Sequence, residues 1–85
     1  MESNKIAREQ IFQIISNQMM ANDPPETNLA FQRLKALGYS DLDTKKLIGQ
    51  CIAVETYRIL KYKEPFDLLR FTSHLNKLPE EPHNE

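Results

Sequence analysis

Apolar residues recur along the chain at three- and four-residue intervals, interrupted by proline and glycine, and no stretch alternates apolar with polar as a strand would. The spacing predicts four α-helices. The first covers about 4–21, with Ser3 as its N-cap. At about 100° per residue, Ala7, Ile11, Phe12, Ile14, Ile15 and Met19 share a face wide enough for a core stripe, with Ile6 and Met20 off it. The run Asn22-Asp23-Pro24-Pro25-Glu26 separates it from the next: Pro24 suits a first helical position, and Asp23 with Glu26 has the spacing of a capping box. The second helix spans about 24–37, with Ala30, Phe31, Leu34 and Leu37 inward. Gly38 supplies the left-handed stop, and Tyr39 folds back on Leu34.

Ser40 then caps a third helix over about 41–63. Asp41 and Asp43 in its first turn and Arg58, Lys61 and Lys63 at its end both complement the helix dipole. Pro65 marks a break, and a fourth helix over about 66–77 buries Leu68, Phe71, Leu75 and Leu78. Residues 79–85 have the composition of a frayed tail. The expected fold is all-α: a compact bundle of four helices, the third longest and central, forming one domain over 1–78 with a disordered tail.

The third helix carries the candidate sites. Val54, Leu47, Cys51, Tyr62, Ile48, Ile59 and Ile52 span roughly 160° of its circumference, and Glu55 and Arg58 fall inside that arc. A carboxylate on an apolar face is costly unless it is paired or hydrogen-bonded. Glu55 is therefore either a proton donor, ligand or partner anchor, or a structural acid satisfied by Arg58, by Arg70 or by the hydroxyl of Tyr39. The structural reading is favoured, since small bundles carry such polar ties, and Glu55 with Arg58 is the candidate tie. On the opposite side Leu42, Gly49, Ala53, Tyr57 and Leu60 form a second, partly apolar face. Such a helix is central in its bundle or shares that face with another chain. Gly49 and Ala53, one turn apart, admit a close neighbour, which is either helix one or a second copy in a homodimer.

Composition narrows the chemistry. The chain has 85 residues, too few for a two-domain enzyme with a cofactor cleft, yet 27% charged and 40% hydrophobic residues describe a folded chain. The single Cys51 excludes a disulfide framework and lies within the apolar arc, where it reads as core. His74 and His83 make neither a His-Glu-x-x-His nor a Glu-x-x-His pattern, and two isolated glycines make no phosphate loop. No cofactor, metal or catalytic residue is expected. No segment approaches the roughly 18 apolar residues of a membrane span, and the N-terminus has no export signal, so a cytoplasmic protein is expected.

The net charge of −1 hides an uneven distribution, with nine Lys/Arg against five Asp/Glu over 33–77. Lys35, Lys45, Lys46, Lys61 and Lys63 are a candidate basic patch for weak nucleic-acid binding. No aromatic ladder accompanies them, and most such surpluses are solvated faces, so nucleic acid stays the alternative to a protein partner. The corner around Leu37-Gly38-Tyr39 resembles a DNA-reading helix-turn-helix and the opening of a ubiquitin-associated domain, over about fifteen residues. Asp41 and Asp43 oppose the first, and the long unbroken third helix opposes the second.

A wider likeness is carried by Pro25, Thr27, Leu34, Gly38-Tyr39-Ser40, Ile48, Glu55, Pro65-Phe66-Asp67, Leu75 and Leu78-Pro79. With these residues the segment 25–79 resembles a group of small uncharacterised bacterial helical domains. The resemblance implies an all-α fold, a bacterial source, an acid at Glu55 and a Leu-Pro ending, and alanine in place of Thr44. It implies no activity. The expected role is a non-catalytic interaction or structural module.

Overall fold

The computed structural model describes residues 8–82, which form α1 (Arg8–Ala21), α2 (Pro25–Ala36), α3 (Asp41–Tyr62) and α4 (Leu68–Lys77), with no strand among the described residues. The expected start of the first helix, with Ser3, Ile6 and Ala7, and the tail histidine His83 lie outside the described residues. The fold is the expected all-α bundle of four helices. Centrality, however, is shared: α2 and α3 each contact the three other helices, while the backbones of α1 and α4 stay apart and flank the α2–α3 pair, meeting only in the core that Ile15, Phe71 and Leu75 share.

Pro25 decides where α2 begins. A residue before proline is pushed out of the helical region, and Pro24 sits extended at φ −77°, ψ 149° as the N-cap of a helix one residue shorter at its start than expected. The Asp23–Glu26 capping box does not form, since no side chain caps α2. Asp23 serves instead to close α1. Its N–H donates to Gln18 O (3.0 Å) and that of Asn22 to Met19 O (3.2 Å), with Asn22 at φ 52°: a Schellman stop. Side chains then brace the corner, as Thr27 Oγ1 donates to Gln18 Oε1 (2.8 Å) and Asn28 Nδ2 to Met19 O (3.0 Å).

The other boundaries follow the expected chemistry. Gly38 adopts φ 107°, its N–H donates to Lys35 O (3.0 Å) and that of Tyr39 to Leu34 O (3.2 Å), while Tyr39 packs half-buried on the core. Ser40 Oγ accepts from Asp43 N–H at 3.0 Å. Lys63 ends α3 in the left-handed conformation at φ 60°. Asp67, a better cap than the residues just after Pro65, accepts from Arg70 N–H at 3.0 Å, so α4 starts two residues later than expected.

Ile15, Leu34, Ile48, Phe71 and Leu75 are fully enclosed, joined by Ala30, Cys51, Ile52 and Leu78, with Ile11, Phe12, Met19, Phe31 and Leu47 packed around them. Ile14, Leu37 and Leu68 are exposed, contrary to their expected inward positions. Leu37 lies beyond the last turn of α2 as its C-cap. At the start of α4 the ring of Phe66, itself exposed, lies 5.4 Å from that of Phe71. A tie that the spacing did not reveal runs from α2 to α4: Arg33 Nη2 donates to Leu75 O (3.0 Å) and Leu78 O (2.9 Å), satisfying carbonyls that a helix end leaves orphaned.

Thr44, in the first turn of α3, is buried with its hydroxyl unpartnered. An enclosed polar group without a hydrogen bond costs about 1–3 kcal/mol. Thr44→Val, which keeps the shape and removes the hydroxyl, is expected to raise the urea midpoint by an amount equivalent to about 1 kcal/mol. A lowered midpoint would show that the hydroxyl is satisfied in solution.

Candidate functional site

Glu55 is the most deeply buried charge among the described residues, with 1% of its surface accessible. Its partners come from α4 and the segment before it. Arg70 Nε donates to Oε2 at 2.6 Å, Arg70 Nη2 to Oε1 at 3.1 Å, and the Asp67 backbone N–H to Oε1 at 3.0 Å. Of the three expected partners, Arg70 therefore holds the acid. Arg58, one turn along α3, clasps Glu64 instead, with Nε and Nη2 at 2.9 and 3.0 Å from its two oxygens. The expected Glu55–Arg58 tie thus becomes a chain, because Glu64 also lies 3.6 Å from Arg70 Nη2 and Asp67 Oδ2 lies 3.5 Å from Arg70 Nη1. Five charged groups fasten the connection between α3 and α4 to the side of α3.

The carboxylate of Glu55 is occupied by three donors. Glu64 is held below its ordinary 4.5 by the Arg58 hydrogen bond and charge, against a partial desolvation. A carboxyl lowered in the folded state stabilises fully above its unfolded value and progressively less as pH falls through the folded one. Acid unfolding of wild type should therefore steepen below about pH 4.5, and Glu64→Gln should flatten that limb while lowering stability at neutral pH. Thermal melts from neutral pH down to strong acid read both effects.

Cys51 is enclosed in the core, and burial pushes its thiol up to about 12. Thiolate is the reactive form. A thiol reagent at pH 8 should therefore modify Cys51 only as fast as the domain opens, and in the same time as unfolding in urea. Modification within the dead time of native protein would contradict this burial.

The candidate interaction face is divided by the fold. Gly49 is buried, and a Cβ placed there would lie 3.1 Å from Ile11 Cγ2. Its close neighbour is thus α1 of the same chain, which removes Gly49 from any seam between copies. Leu42, Ala53, Tyr57 and Leu60 stay exposed. A shallow groove of about 290 Å³ between α1 and α3 runs past Ile11, Phe12, Gly49 and Ala53.

The five lysines of the candidate basic patch are divided between the two ends of α3, with Lys35 and Lys45 both near Asp41 at one end and Lys61 and Lys63 at the other. Lys45 and Lys61 are sixteen residues apart on one helix, about 24 Å at 1.5 Å per residue. Lys35 is paired with Asp41 at the α2–α3 corner. Lys61 instead lies over two rings, 5.4 Å from the centroid of Tyr57 and 5.7 Å from that of Tyr62. Those rings meet edge to face at 6.2 Å, and the Arg58 guanidinium stands 5.2 Å from Tyr62.

What the spacing did not show is the concentration of exposed apolar surface at this end. Of the twelve large apolar side chains exposed among the described residues, seven fall between 57 and 69: Tyr57, Ile59, Leu60, Tyr62, Phe66, Leu68 and Leu69. The last is 82% exposed. The signal in the sequence was that the apolar arc, with Ile59 and Tyr62, and the opposite face, with Tyr57 and Leu60, both run to the end of α3, where all four are exposed. No family model, no curated protein and no solved structure matches the chain. No described helix is long and apolar enough to cross a membrane.

Proposed function

We propose that this protein is a non-catalytic protein-interaction module whose docking surface is the C-terminal end of α3 with the segment that follows it. The observation that carries this reading is the run of seven exposed apolar side chains between 57 and 69, in which the rings of Tyr57 and Tyr62 meet, on a stretch held to the body by the Glu55–Arg70 and Glu64–Arg58 pairs. Exposed apolar surface that is concentrated and anchored suits association, because little further ordering is needed on binding. The two residues nearest to reaction chemistry support the non-catalytic part. Glu55 is taken up in the ion network and Cys51 is an enclosed thiol with a raised pKa.

A homodimer through Ala53, Tyr57 and Leu60 is one form of this proposal. The likeness to small bacterial helical domains belongs to it as a likeness in fold: Thr27, Leu34, Ile48, Glu55, Leu75 and Leu78 are all buried, and Gly38 and Asp67 stop and cap helices.

The test compares wild type with Leu60→Ser/Leu69→Ser, two exposed changes expected to leave the melting temperature unchanged. Proximity labelling in the cells that make the protein should mark a partner with wild type and lose it with the variant at equal abundance. Sedimentation equilibrium over a range of concentrations reads self-association in parallel. Identical labelling by both proteins, with monomers throughout, would remove the proposal.

A further inference from the structure

The charges around this surface specify its partner further than the apolar residues do. Each carboxylate from Glu55 to Asp67 is engaged by an arginine: Glu55 by Arg70, Glu64 by Arg58, and Asp67 by Arg70. Lys61 and Lys63 have no carboxylate among the described residues. The ammonium of Lys61 rests on the tyrosine faces, and Lys63 Nζ reaches only Leu60 O, at 3.4 Å. The arginines thus consume the local negative charge, and two lysines remain uncompensated beside exposed Tyr57, Leu60 and Tyr62.

We infer that this end of α3 docks an acidic, apolar-anchored peptide segment of another protein, with Tyr57, Leu60 and Tyr62 receiving its apolar side chains and Lys61 and Lys63 meeting its carboxylates. The inference rests on the interaction-module reading and adds the chemistry of the partner. A cation placed on an aromatic face keeps its charge available on the outer side, so an incoming carboxylate gains Lys61 without breaking an existing ion pair. Complementary charge steers and orients such a segment, while buried apolar anchors supply most of the affinity.

Two other occupants fit less well. A two-fold dimer sets the same patch against itself and would gather Lys61 and Lys63 of both copies, four ammonium groups, in one contact. A nucleic acid would meet a pair of lysines rather than a track of cations, and would leave Leu60 uncovered.

The experiment pans a random peptide library displayed on phage against the full chain. The Leu60→Ser/Lys61→Glu variant serves as counter-selection, after its melting temperature is shown to match that of wild type. The expected pool is enriched in Asp and Glu together with Leu, Phe or Tyr. Peptides synthesised from that pool should bind wild type in fluorescence anisotropy, weaken as salt rises, and lose about tenfold in affinity to Lys61→Glu/Lys63→Glu. A pool that needs Leu60 but is neutral or basic overturns the acidic partner and leaves the module reading standing. A pool indifferent to the variant, or no enrichment over it, overturns both. A labelled single-stranded oligonucleotide competing for the same site at equal affinity, or self-association lost in the variant, overturns the peptide assignment.

Discussion

Glu55→Gln is expected to cost about 2–4 kcal/mol, read as a shift of the urea midpoint at neutral pH. The amide has nearly the shape of the carboxylate, so the change creates no cavity. What it removes is charge. Glu55 receives Arg70 through two N–H groups, at 2.6 and 3.1 Å, and a backbone N–H from Asp67 at 3.0 Å. Glutamine retains one acceptor oxygen for these three donors and turns its own NH2 toward the guanidinium. Hydrogen bonds to charged groups contribute about 1.5–3 kcal/mol each, and the loss is large against the roughly 4–13 kcal/mol expected of a domain this long.

The double variant Glu55→Gln/Arg70→Met should cost less than the sum of the single changes, because the two residues serve each other. Additive losses would place the stabilisation elsewhere, and a cost for Glu55→Gln below about 0.5 kcal/mol would mean the pair sets position without adding stability. Where the pair does set position, the segment 63–67 should loosen first. Amide exchange of Asp67, whose N–H ends on Glu55, reports that loosening at a single site.

Phe71→Ala should be still more damaging, at about 3–5 kcal/mol. Phe71 is fully enclosed and is the largest side chain so buried. It lies where α4 meets the α2–α3 pair, with Phe66 against its ring. Truncation removes the apolar burial and leaves a void that the surrounding helices fill only in part. The variant is expected to melt far below wild type or to populate an open form. Phe71→Leu, which keeps most of the volume, should retain more than half of the lost stability. Equal losses for the two would argue that α4 is peripheral to the core.

Much of this architecture was legible in residue spacing. Gly38, Ser40 and Pro65 fix three boundaries through chemistry that acts within a few residues, and a tertiary contact has little say there. The Pro24-Pro25 step shows the limit of that rule. Two local signals competed, a capping spacing and the restriction on a residue before proline, and the steric one prevailed. Glu55 stood out because its helical angle set it among apolar residues. Its choice of Arg70 over Arg58 did not, since that depends on how the 63–67 segment turns back. Arg33, read only as one of the basic residues, gave no local sign that it reaches carbonyls more than forty residues away. Tyr57 and Leu60 stood on an expected outer face, but the exposure of Ile59 and Tyr62 did not show, since a periodic arc tells which face is apolar and the length of the neighbouring helices decides how much of it is covered.

That α1 and α4 keep their backbones apart yet share one core has a consequence for how the molecule carries disturbance. Each is a leaf on a shared wall, joined to the other through that core alone. A guest that strains α4 beside the fastened end of α3 reaches α1 only through Ile15 and the wall between them. The protein thus resembles a hinge plate with two leaves, one fastened by charge and the other seated by the fit of Ile11 against a glycine.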